Sequence, residues 1–303
     1  MAVTQPRSPL ALFAVVISTR NRPGQLRRTL EALAAQTYRD FDVIVVDQSD
    51  PPCAVVAGHD AGPRVSCLPD HGVGLSRARN LGWRATSSSW VAFLDDDCLP
   101  APDWADELRL VLAEHPDLDL LSGHVDSGAA PAGDYIPVSS LPVVRDRIWR
   151  GRWTRPWSIG VGVCMVIRRS RIEALEGFDE RLGAGSGAFP ASEDMDFNYR
   201  LLRAGGTALV SSRLRAVHEQ WRPREDLGPL YRDYMLGWCG FAIKHLRRGD
   251  VLGGLWLWAL GLQDALRMLG SAGRRRSRLR LDVALWKLRG LARGTARALT
   301  RRW

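Results

Sequence analysis

The sequence predicts an α/β fold: a mostly parallel, mixed sheet flanked by helices, with a helical extension at the C-terminal end. Two observations lead to this prediction. Continuous apolar runs rich in valine and isoleucine alternate with segments of helical periodicity in the first half, and helical segments follow Trp221. Strands separated by helices imply parallel pairing, with helices on both faces of the sheet. We therefore expect an α/β domain over residues 1–222 and a helical region over residues 223–303.

Strands and helices alternate in the first half of the chain. Residues 12–18 form the first predicted strand, and Pro23 suits the first turn of the helix that follows. One face of that helix carries leucines at helical spacing, Leu26, Leu30 and Leu33. The other predicted elements are strands over 42–47, 64–68, 90–94 and 118–125 and helices over 74–85 and 102–115. Ligands gather at the carboxyl ends of strands in such sheets, where the sequence has Ser18, Asp47 and the run 95–97.

The second half begins with a stretch that has no periodicity. Residues 127–157 contain glycines, prolines and three tryptophans, which is typical of a binding loop. Regular structure resumes over 159–167. The elements predicted after that are a helix from 169, a helix over 192–204, a short strand over 214–217, and helices over 226–248, 250–270 and 277–300.

The composition is that of an ordinary globular protein. Of 303 residues, 46% are hydrophobic and 25% charged, which excludes a disordered, collagen-like or disulfide-stapled chain. The net charge of +9 is concentrated in residues 271–303, which hold 11 basic residues and one acid, so the pI does not indicate nucleic-acid binding. Five scattered cysteines without a C-x-x-C pair fit a reducing cytoplasm. The apolar run 251–262 is shorter than the roughly 20 residues that a membrane span needs.

Three adjacent carboxylates, Asp95, Asp96 and Asp97, directly follow the apolar strand 90–94. Such groups repel one another unless a cation compensates their charge. Hard oxygen ligands suit Mg²⁺ or Mn²⁺, particularly where a diphosphate completes the coordination shell. The alternative interpretation is a solvated acidic turn. The position directly after a buried strand favours the metal site.

A second acidic group opens the helix 192–204. Ser192 suits the N-cap, and Glu193, Asp194 and Asp196 would favour the helix dipole, so a purely structural role is one interpretation. The preceding segment, 183–188, is rich in glycine and costly to order. This is typical of a loop that closes on a ligand.

Two further features are weak when taken alone. His218 ends the predicted strand 214–217, and the ordinary interpretation of such a histidine is a partly buried, hydrogen-bonded side chain. Arg77 and Arg79 lie in the segment 71–80, whose glycine spacing matches neither the Walker phosphate loop nor G-x-G-x-x-G.

Taken together, these pieces resemble the family 2 glycosyltransferases, whose nucleotide-diphospho-sugar transferase domain has the GT-A fold. The resemblance extends from Phe13 to Trp221, and its motifs occur in the order that the family has. They are the stretches 18–22, 45–49, 74–80, 93–97, 177–181 and 193–196, followed by Arg200 and His218. The resemblance implies a non-processive enzyme of the bacterial type.

The resemblance also implies the roles of individual residues. The nucleotide sugar would be bound by Ser18, Thr19, Arg20, Asp47, Arg79, Asp96 and Glu193. A divalent cation, Mn²⁺ or Mg²⁺, would be held by Asp95, Asp97 and His218. Asp194 would be the general base that deprotonates the acceptor hydroxyl, so that attack from the opposite face inverts the anomeric configuration.

Some positions depart from the family pattern. Arg20 stands where many relatives carry an aromatic residue, and Gln48 where an acid or asparagine is frequent, so the donor stays open among UDP-, GDP- and dTDP-sugars. The Gln-x-x-Arg-Trp signature of processive relatives is missing near Trp221, which implies transfer of a single sugar. The acceptor stays open among a saccharide, a lipid-linked saccharide and a natural product.

Two other functions are compatible with parts of the sequence. A catalytically silent nucleotide-sugar-binding or assembly subunit would not need Asp97 and Asp194, which are both present. A sugar nucleotidyltransferase should carry a Gly-x-Gly-Thr-Arg loop after its first strand, and residues 18–22 contain none.

The basic tail, residues 274–303, forms a predicted amphipathic helix. Arginines recur every four residues on one side: Arg289, Arg293, Arg297 and Arg301. A helix of this kind suits an anionic membrane surface and would place the protein peripherally on the inner face of the cell membrane. The alternatives are a solvated helix packed on the body and a nucleic-acid-binding helix. We expect no nucleic-acid partner, because no aromatic ladder or known module accompanies the arginines.

Overall fold

A mixed β-sheet lies at the centre of the computed structural model, which describes residues 11–53 and 62–301. The strands of this described part are β1 (Phe13–Thr19), β2 (Asp42–Asp47), β3 (Arg64–Pro69), β4 (Trp90–Asp95), β5 (Cys98–Pro100), β6 (Leu120–Asp126), β7 (Tyr135–Pro137), β8 (Arg147–Trp149), β9 (Cys164–Arg168), β10 (Ala208–His218) and β11 (Trp221–Pro223). Nine of them form the main sheet in the order β3-β2-β1-β4-β9-β6-β10-β5, with β8 paired to β10. β7 and β11 form a separate two-stranded sheet.

Most strands of the main sheet point the same way. β1 is parallel to β2 and β4, β2 to β3, and β6 to β10. β9 runs antiparallel between β4 and β6, and β5 and β8 are antiparallel to β10. The predicted mostly parallel, mixed sheet is confirmed. The carboxyl ends of β1, β2, β4 and β10 therefore lie along one edge.

Helices cover both faces of the sheet. The helices of the described residues are α1 (Pro23–Ala34), α2 (Leu75–Arg84), α3 (Trp104–Glu114), α4 (Arg169–Ala174), α5 (Glu193–Arg203), α6 (Leu227–Arg247), α7 (Val251–Arg275) and α8 (Arg278–Thr300). On one face, Leu26 of α1 and Leu108 of α3 join a core with Val15 of β1. On the other face, Phe197 of α5 packs in a core with Val16. Consecutive apolar residues in β1 are thus both buried, as expected of a strand covered on both faces.

The three C-terminal helices pack on one another and on the α/β body. Their shared core includes Phe241 of α6, Leu257 of α7 and Leu291 of α8, together with Tyr199 of α5. Of the interpretations considered for the basic tail, packing on the body agrees with this arrangement. Arg289 and other arginines of α8 remain exposed. Residues 302 and 303 of the tail lie outside the described residues. No helix in the described ranges is long and apolar enough to cross a membrane.

Several element boundaries differ from the sequence prediction. β10 begins at Ala208, six residues before the predicted strand, because polar residues at an irregularity between Ser211 and Arg215 interrupt its apolar pattern. The predicted regular segment 159–167 is a 3₁₀ turn over Pro156–Ile159 followed by β9. The short strands β5, β7, β8 and β11 were not predicted, since three residues do not establish a period.

Candidate active site

The strand register brings the acidic run and His218 together. β4 ends at Asp95, which pairs with Ser18 of β1. The chain then turns into β5, whose first residue, Cys98, pairs with His218 at the end of β10. Because Asp97 immediately precedes Cys98, the sheet itself places His218 beside the carboxylates.

Asp95, Asp97 and His218 form a group whose ligand atoms all lie within 4.8 Å of one another. The Nε2 atom of His218 is 3.1 Å from Oδ1 of Asp97. Across the described ranges, neither that oxygen nor either ring nitrogen of His218 has a well-aligned hydrogen bond, although all three atoms are buried. Asp97 and His218 therefore offer buried lone pairs that no well-aligned hydrogen bond uses, and together with the carboxylate of Asp95 they fit a divalent cation such as Mn²⁺. The three residues predicted as metal ligands are therefore brought together.

The electrostatics of the acidic run differ from one carboxylate to the next. Burial opposes ionisation of Asp97, but the hydrogen-bonding and charge interactions with His218 and Arg22 outweigh it and lower the pKa of Asp97 to about 2. Burial dominates at Asp96 and raises its pKa to about 6, despite the charge of Arg22. Burial also raises the pKa of Asp95, against the charges of Arg79 and His218. Of the three carboxylates, only Asp97 has its pKa lowered by its partners, whereas burial dominates at Asp95 and Asp96.

The turn after β1 contacts the acidic run directly. Thr19 Oγ1 donates to Oδ2 of Asp96 at 2.7 Å. Arg22 donates to both Asp96 and Asp97, each at 2.5 Å. The hydroxyl of Ser18 is buried and makes no hydrogen bond within the part of the chain that the structure describes, whereas Arg20 is exposed. Arg22 was not predicted as a site residue, and the signal for it was its place in the motif 18–22.

Asp47, at the end of β2, organises the loop that follows. Its Oδ1 accepts a hydrogen bond from the backbone N–H of Ser49 at 2.9 Å, and its Oδ2 accepts one from Cys53 at 2.6 Å. The adjacent Gln48 side chain donates to Asp70 and accepts from the backbone of Gly74 at the start of α2. The carboxylate of Asp47 is buried and holds the loop after β2 at the edge of the sheet.

Arg79 connects the two acidic groups of the sequence. Its guanidinium is buried and donates to Oε1 of Glu193 at 2.9 Å, to the carbonyl of Gly162 at 3.0 Å and to Oδ1 of Asp95 at 3.3 Å. Burial and the neighbouring Asp194 raise the pKa of Glu193 to about 7, although Arg79 acts in the opposite direction. One arginine thus joins residues from β4 and α5 that are about a hundred positions apart.

The N-terminus of α5 presents Asp194 to the same place. Ser192 is the N-cap residue as predicted, but its backbone is left-handed, with φ of 73°, and its side chain makes no capping hydrogen bond. Asp194 Oδ2 accepts from the N–H of Gly162 at 2.8 Å, and its Oδ1 accepts from the N–H of Met195 at 2.8 Å. Asp194 remains partly exposed, whereas Glu193 is buried.

Asp196, in the same motif, has a different environment. It is completely buried and accepts hydrogen bonds from Arg200 and Lys244 at 2.8 Å and from His245 at 2.9 Å. Burial opposes its ionisation, but the positive charges of Arg200 and Lys244 hold its pKa well below the ordinary value. Asp196 therefore joins α5 to α6 and does not face the site.

A cavity of about 540 Å³ opens where the two acidic groups meet. Its lining includes Arg79, Asp95, Glu193 and Asp194, and a wall from the C-terminal helices. The volume lies within the roughly 300–1,000 Å³ of small-molecule sites. Asp95, one member of the candidate metal group, and the partly exposed Asp194 thus line the same cavity.

A family comparison agrees with this geometry. The family model for glycosyl transferase family 2 matches residues 14–175, more than half of the chain, and the chain therefore belongs to this family.

Similar proteins include an O-antigen biosynthesis protein and two glycosyltransferases. The O-antigen biosynthesis protein RfbC of Myxococcus xanthus is 24% identical over 248 residues, which are 75% of this chain and 19% of the relative. A pre-mycofactocin glycosyltransferase of Mycobacterium tuberculosis is 29% identical over 74% of this chain and 48% of its own. A validoxylamine A glucosyltransferase of Streptomyces hygroscopicus is 38% identical over 36% of this chain and 26% of its own. The chain spans about a fifth to a half of the length of these relatives.

Solved structures show the same architecture. The mannosyltransferase PcManGT from Pyrobaculum calidifontis, in complex with GDP-Man and Mn²⁺, has a TM-score of 0.64 and 16% identity, over 95% of this chain and 88% of that one. TarS 1–349 of S. aureus, in complex with UDP-GlcNAc, has a TM-score of 0.53 and 16% identity, over 77% and 66%. The likeness at this identity concerns the fold, and the predicted GT-A fold is confirmed.

Proposed function

We propose that this chain transfers a single sugar from a nucleotide-diphospho-sugar to a hydroxyl acceptor, with inversion at the anomeric carbon and a divalent cation as cofactor. The observation that carries the proposal is that Asp194 and Asp95 line one cavity, and that Asp95 forms a candidate cation site with Asp97 and His218. Membership of glycosyl transferase family 2 and the nucleotide sugars in the PcManGT and TarS complexes support it.

The donor would lie along the carboxyl edge of the sheet. Ser18, Thr19 and Arg20 would contact the nucleotide, Asp47 the base and Asp96 the ribose. The diphosphate would approach the group of Asp95, Asp97 and His218. When bound there, Mn²⁺ or Mg²⁺ would stabilise the negative charge that develops on the leaving diphosphate. The buried hydroxyl of Ser18, which has no hydrogen-bond partner among the described residues, supports a polar ligand at this edge.

Arg79 and Glu193 would fix the position of α5 relative to the end of β4. The bonds from Arg79 to Glu193 and Asp95 fix the distance between α5 and the end of β4. The guanidinium would add positive charge beside the diphosphate, and Glu193 would orient that guanidinium and contact the donor sugar. This positioning matters because misplacement by about 1 Å can cost a hundredfold in rate.

Asp194 would act as the general base. The amide of Gly162 fixes one carboxylate oxygen, and the side chain remains accessible from the cavity. In the reaction, the bond between the anomeric carbon and the phosphate oxygen breaks, and its electron pair goes to the nucleoside diphosphate. The acceptor oxygen forms the new bond to that carbon, and its proton moves to Asp194. A single displacement of this kind inverts the configuration.

The experiment that tests the function separates binding from chemistry. Thermal unfolding is followed with UDP-, GDP- and dTDP-sugars, each with and without Mn²⁺, and release of nucleoside diphosphate is then measured with the donor that stabilises the protein. We expect Asp194→Asn to keep the Mn²⁺-dependent donor stabilisation and to lower turnover at least a hundredfold, since general-base catalysis contributes roughly 10²–10⁴-fold. Asp117→Asn, at an exposed carboxylate between α3 and β6, is the control.

Two results would contradict the proposal. If no nucleotide sugar stabilises the protein, the donor assignment is wrong. If Asp194→Asn loses donor binding along with turnover, Asp194 is a binding residue and not the base.

The C-terminal region has a proposed role of its own. Residues 1–222 would form the transferase domain and residues 223–303 a helical region that closes one side of the cleft. The exposed arginines of α8, such as Arg289 and Arg293, would attract an anionic lipid surface and bring a lipid-linked acceptor near. Sedimentation with vesicles containing anionic lipid, at low and high salt, tests this association. Equal binding to neutral vesicles would contradict it.

A further inference from the structure

Residues of the three C-terminal helices contribute one wall of the cavity. This wall includes four aromatic or apolar residues of α6 and two residues of α7: Tyr231, Tyr234, Met235, Trp238, Leu260 and Asp264. Tyr234 lies close enough to the general base for the charge of Asp194 to add to the effect of burial in raising the pKa of the phenol. Whatever molecule approaches Asp194 from this side therefore touches the C-terminal helices.

Lys287 of α8 is the cation of this wall. It is one of only two lysines among 42 basic residues, and it is about nine-tenths buried. Its Nζ donates to Oδ2 of Asp264 at 2.5 Å and lies 5.0 Å from the ring centroid of Tyr231. The sequence pattern assigns Lys287 to the basic tail, but its side chain lines the cavity instead.

The ion pair of Lys287 and Asp264 is better suited to binding a ligand than to stabilising the fold. Burial desolvates Lys287 while water screens the half-exposed Asp264, so the pair contributes little net stability. The ammonium has three donors, of which Asp264 takes one, and the carboxylate of Asp264 is about half exposed. The pair therefore offers a hydrogen-bond donor and an acceptor side by side at the cavity surface.

The remaining wall is aromatic. Trp157, from the loop before β9, and Trp238 both line the cavity, with ring centroids 5.5 Å apart. A pyranose ring matches this combination, because its C–H face packs on aromatic rings while adjacent hydroxyls need a donor and an acceptor next to each other. An aliphatic alcohol has no adjacent hydroxyls to bond to the remaining donors of Lys287 and the other carboxylate oxygen of Asp264.

We infer that the C-terminal helices form the acceptor subsite, that the acceptor is the pyranose ring of a saccharide, and that Lys287 and Asp264 determine specificity for its hydroxyls. The inference rests on the proposed function, since it concerns the molecule that Asp194 deprotonates. The same ring chemistry can come from a free or a lipid-linked saccharide.

The first test measures acceptor-dependent turnover. Release of nucleoside diphosphate is followed with a panel of methyl pyranosides, with the octyl glycosides of the same sugars, and with hexanol. We expect pyranosides to stimulate turnover and hexanol to have no effect. Lys287→Met and Asp264→Asn should each raise the acceptor KM at least tenfold, and the donor KM by much less. If hexanol stimulates as well as the pyranosides, or if donor and acceptor KM rise equally, the inference is wrong.

The control variant changes a cation that, like Lys287, pairs with an aspartate and lies near a tyrosine ring. Arg109 pairs with Asp106 at 2.8 Å and lies 5.6 Å from the ring of Tyr38, but it is on the surface of α3. Arg109→Met should change neither KM. Asp264→Asn alters a half-exposed side chain, so the test stands even if Lys287→Met does not fold. If octyl glycosides stimulate turnover more than methyl glycosides, the acceptor is lipid-linked. Equal stimulation indicates that the protein recognises the sugar ring alone.

A binding measurement keeps the inference independent of turnover. Saturation-transfer difference NMR with the same methyl pyranosides should show contact with the wild-type protein and a signal at least fivefold weaker for Lys287→Met or Asp264→Asn. If the pyranosides bind but no donor is turned over, the proposed function fails and the saccharide site stands. If donor turnover is present but no pyranoside binds or stimulates, the inference fails and the proposed function stands.

Discussion

Lys244 holds together two acidic residues of the protein interior, and its replacement by methionine should destabilise the fold strongly. Its side chain is almost completely buried in α6. The Nζ atom lies 2.8 Å from Oδ2 of Asp179 and 2.8 Å from Oδ1 of Asp196. Methionine fills similar space without the charge, so both carboxylates lose a partner while the packing changes little.

The size of the effect follows from what each carboxylate retains. Breaking a buried ion pair by removing one partner costs roughly 3–5 kcal/mol. Asp179 keeps Arg181, and Asp196 keeps Arg200 and a histidine. We therefore expect the lower end of this range, about 3 kcal/mol. With a urea m-value of about 3 kcal/mol/M, the unfolding midpoint should fall by roughly 1 M.

Urea unfolding followed by circular dichroism and tryptophan fluorescence measures this change. Arg248→Met, at the exposed end of the same helix, serves as the control and should alter the free energy of unfolding by less than about 0.5 kcal/mol. Combining Lys244→Met with Asp196→Asn should cost less than the sum of the two single changes, because the groups share one network. A loss below about 1 kcal/mol for Lys244→Met would refute the reasoning.

Three further predictions concern packing, ionisation and metal binding. A Cβ at Gly82 would lie 2.2 Å from a valine side chain of β1, so Gly82→Ala should lower the free energy of unfolding by about 1–3 kcal/mol, whereas Gly24→Ala, with open space around it, should not. Burial and the hydrogen bond to Asp250 raise the pKa of Tyr199 to about 12. The neutral phenol is thus favoured by folding, and the resulting stability is present below about pH 10 and lost as the pH rises toward 12. Over that pH window, the free energy of unfolding measured with urea should fall less for Tyr199→Phe than for the wild type. An equal fall in both proteins would contradict this. Asp97→Asn should abolish the Mn²⁺-dependent rise in Tm, and an unchanged rise would remove Asp97 from the metal site.

The sequence was a good guide wherever a pattern was continuous. β1, β2 and β4 were predicted within a residue or two, because uninterrupted apolar runs have few other interpretations. The position of β9 between β4 and β6 could not be predicted, since the residues of a strand do not specify which strands it pairs with or whether the pairing is parallel. β10 was predicted only in part, because Ser211 and the residues after it break its apolar pattern.

The site was predicted from the sequence motifs, and residues to which those motifs assign no role were missed. Asp95, Asp97 and His218 were expected to meet, and they do. Arg22 and Lys287 were not assigned, because a basic residue in a turn or on a basic helix has the same sequence pattern whether it faces solvent or carboxylates. The environment of each side chain depends on contacts between residues that lie far apart in the chain.

The reversed strand β9 has a consequence for how such a site can change. Its first residue, Cys164, pairs with Leu94 near the end of β4, so the loop before β9 arrives at the same edge where the parallel strands finish. That loop supplies Gly162 and Trp157 to the cleft while none of its residues belongs to the pairing of β1, β2 and β4. Because the backbone of Gly162 bonds to Arg79 and Asp194, its position is constrained, but insertions and deletions earlier in the loop, near Trp157, can reshape the entrance for a new alcohol. Diversification of substrates can therefore proceed in one segment of the chain while the remainder is held constant by folding.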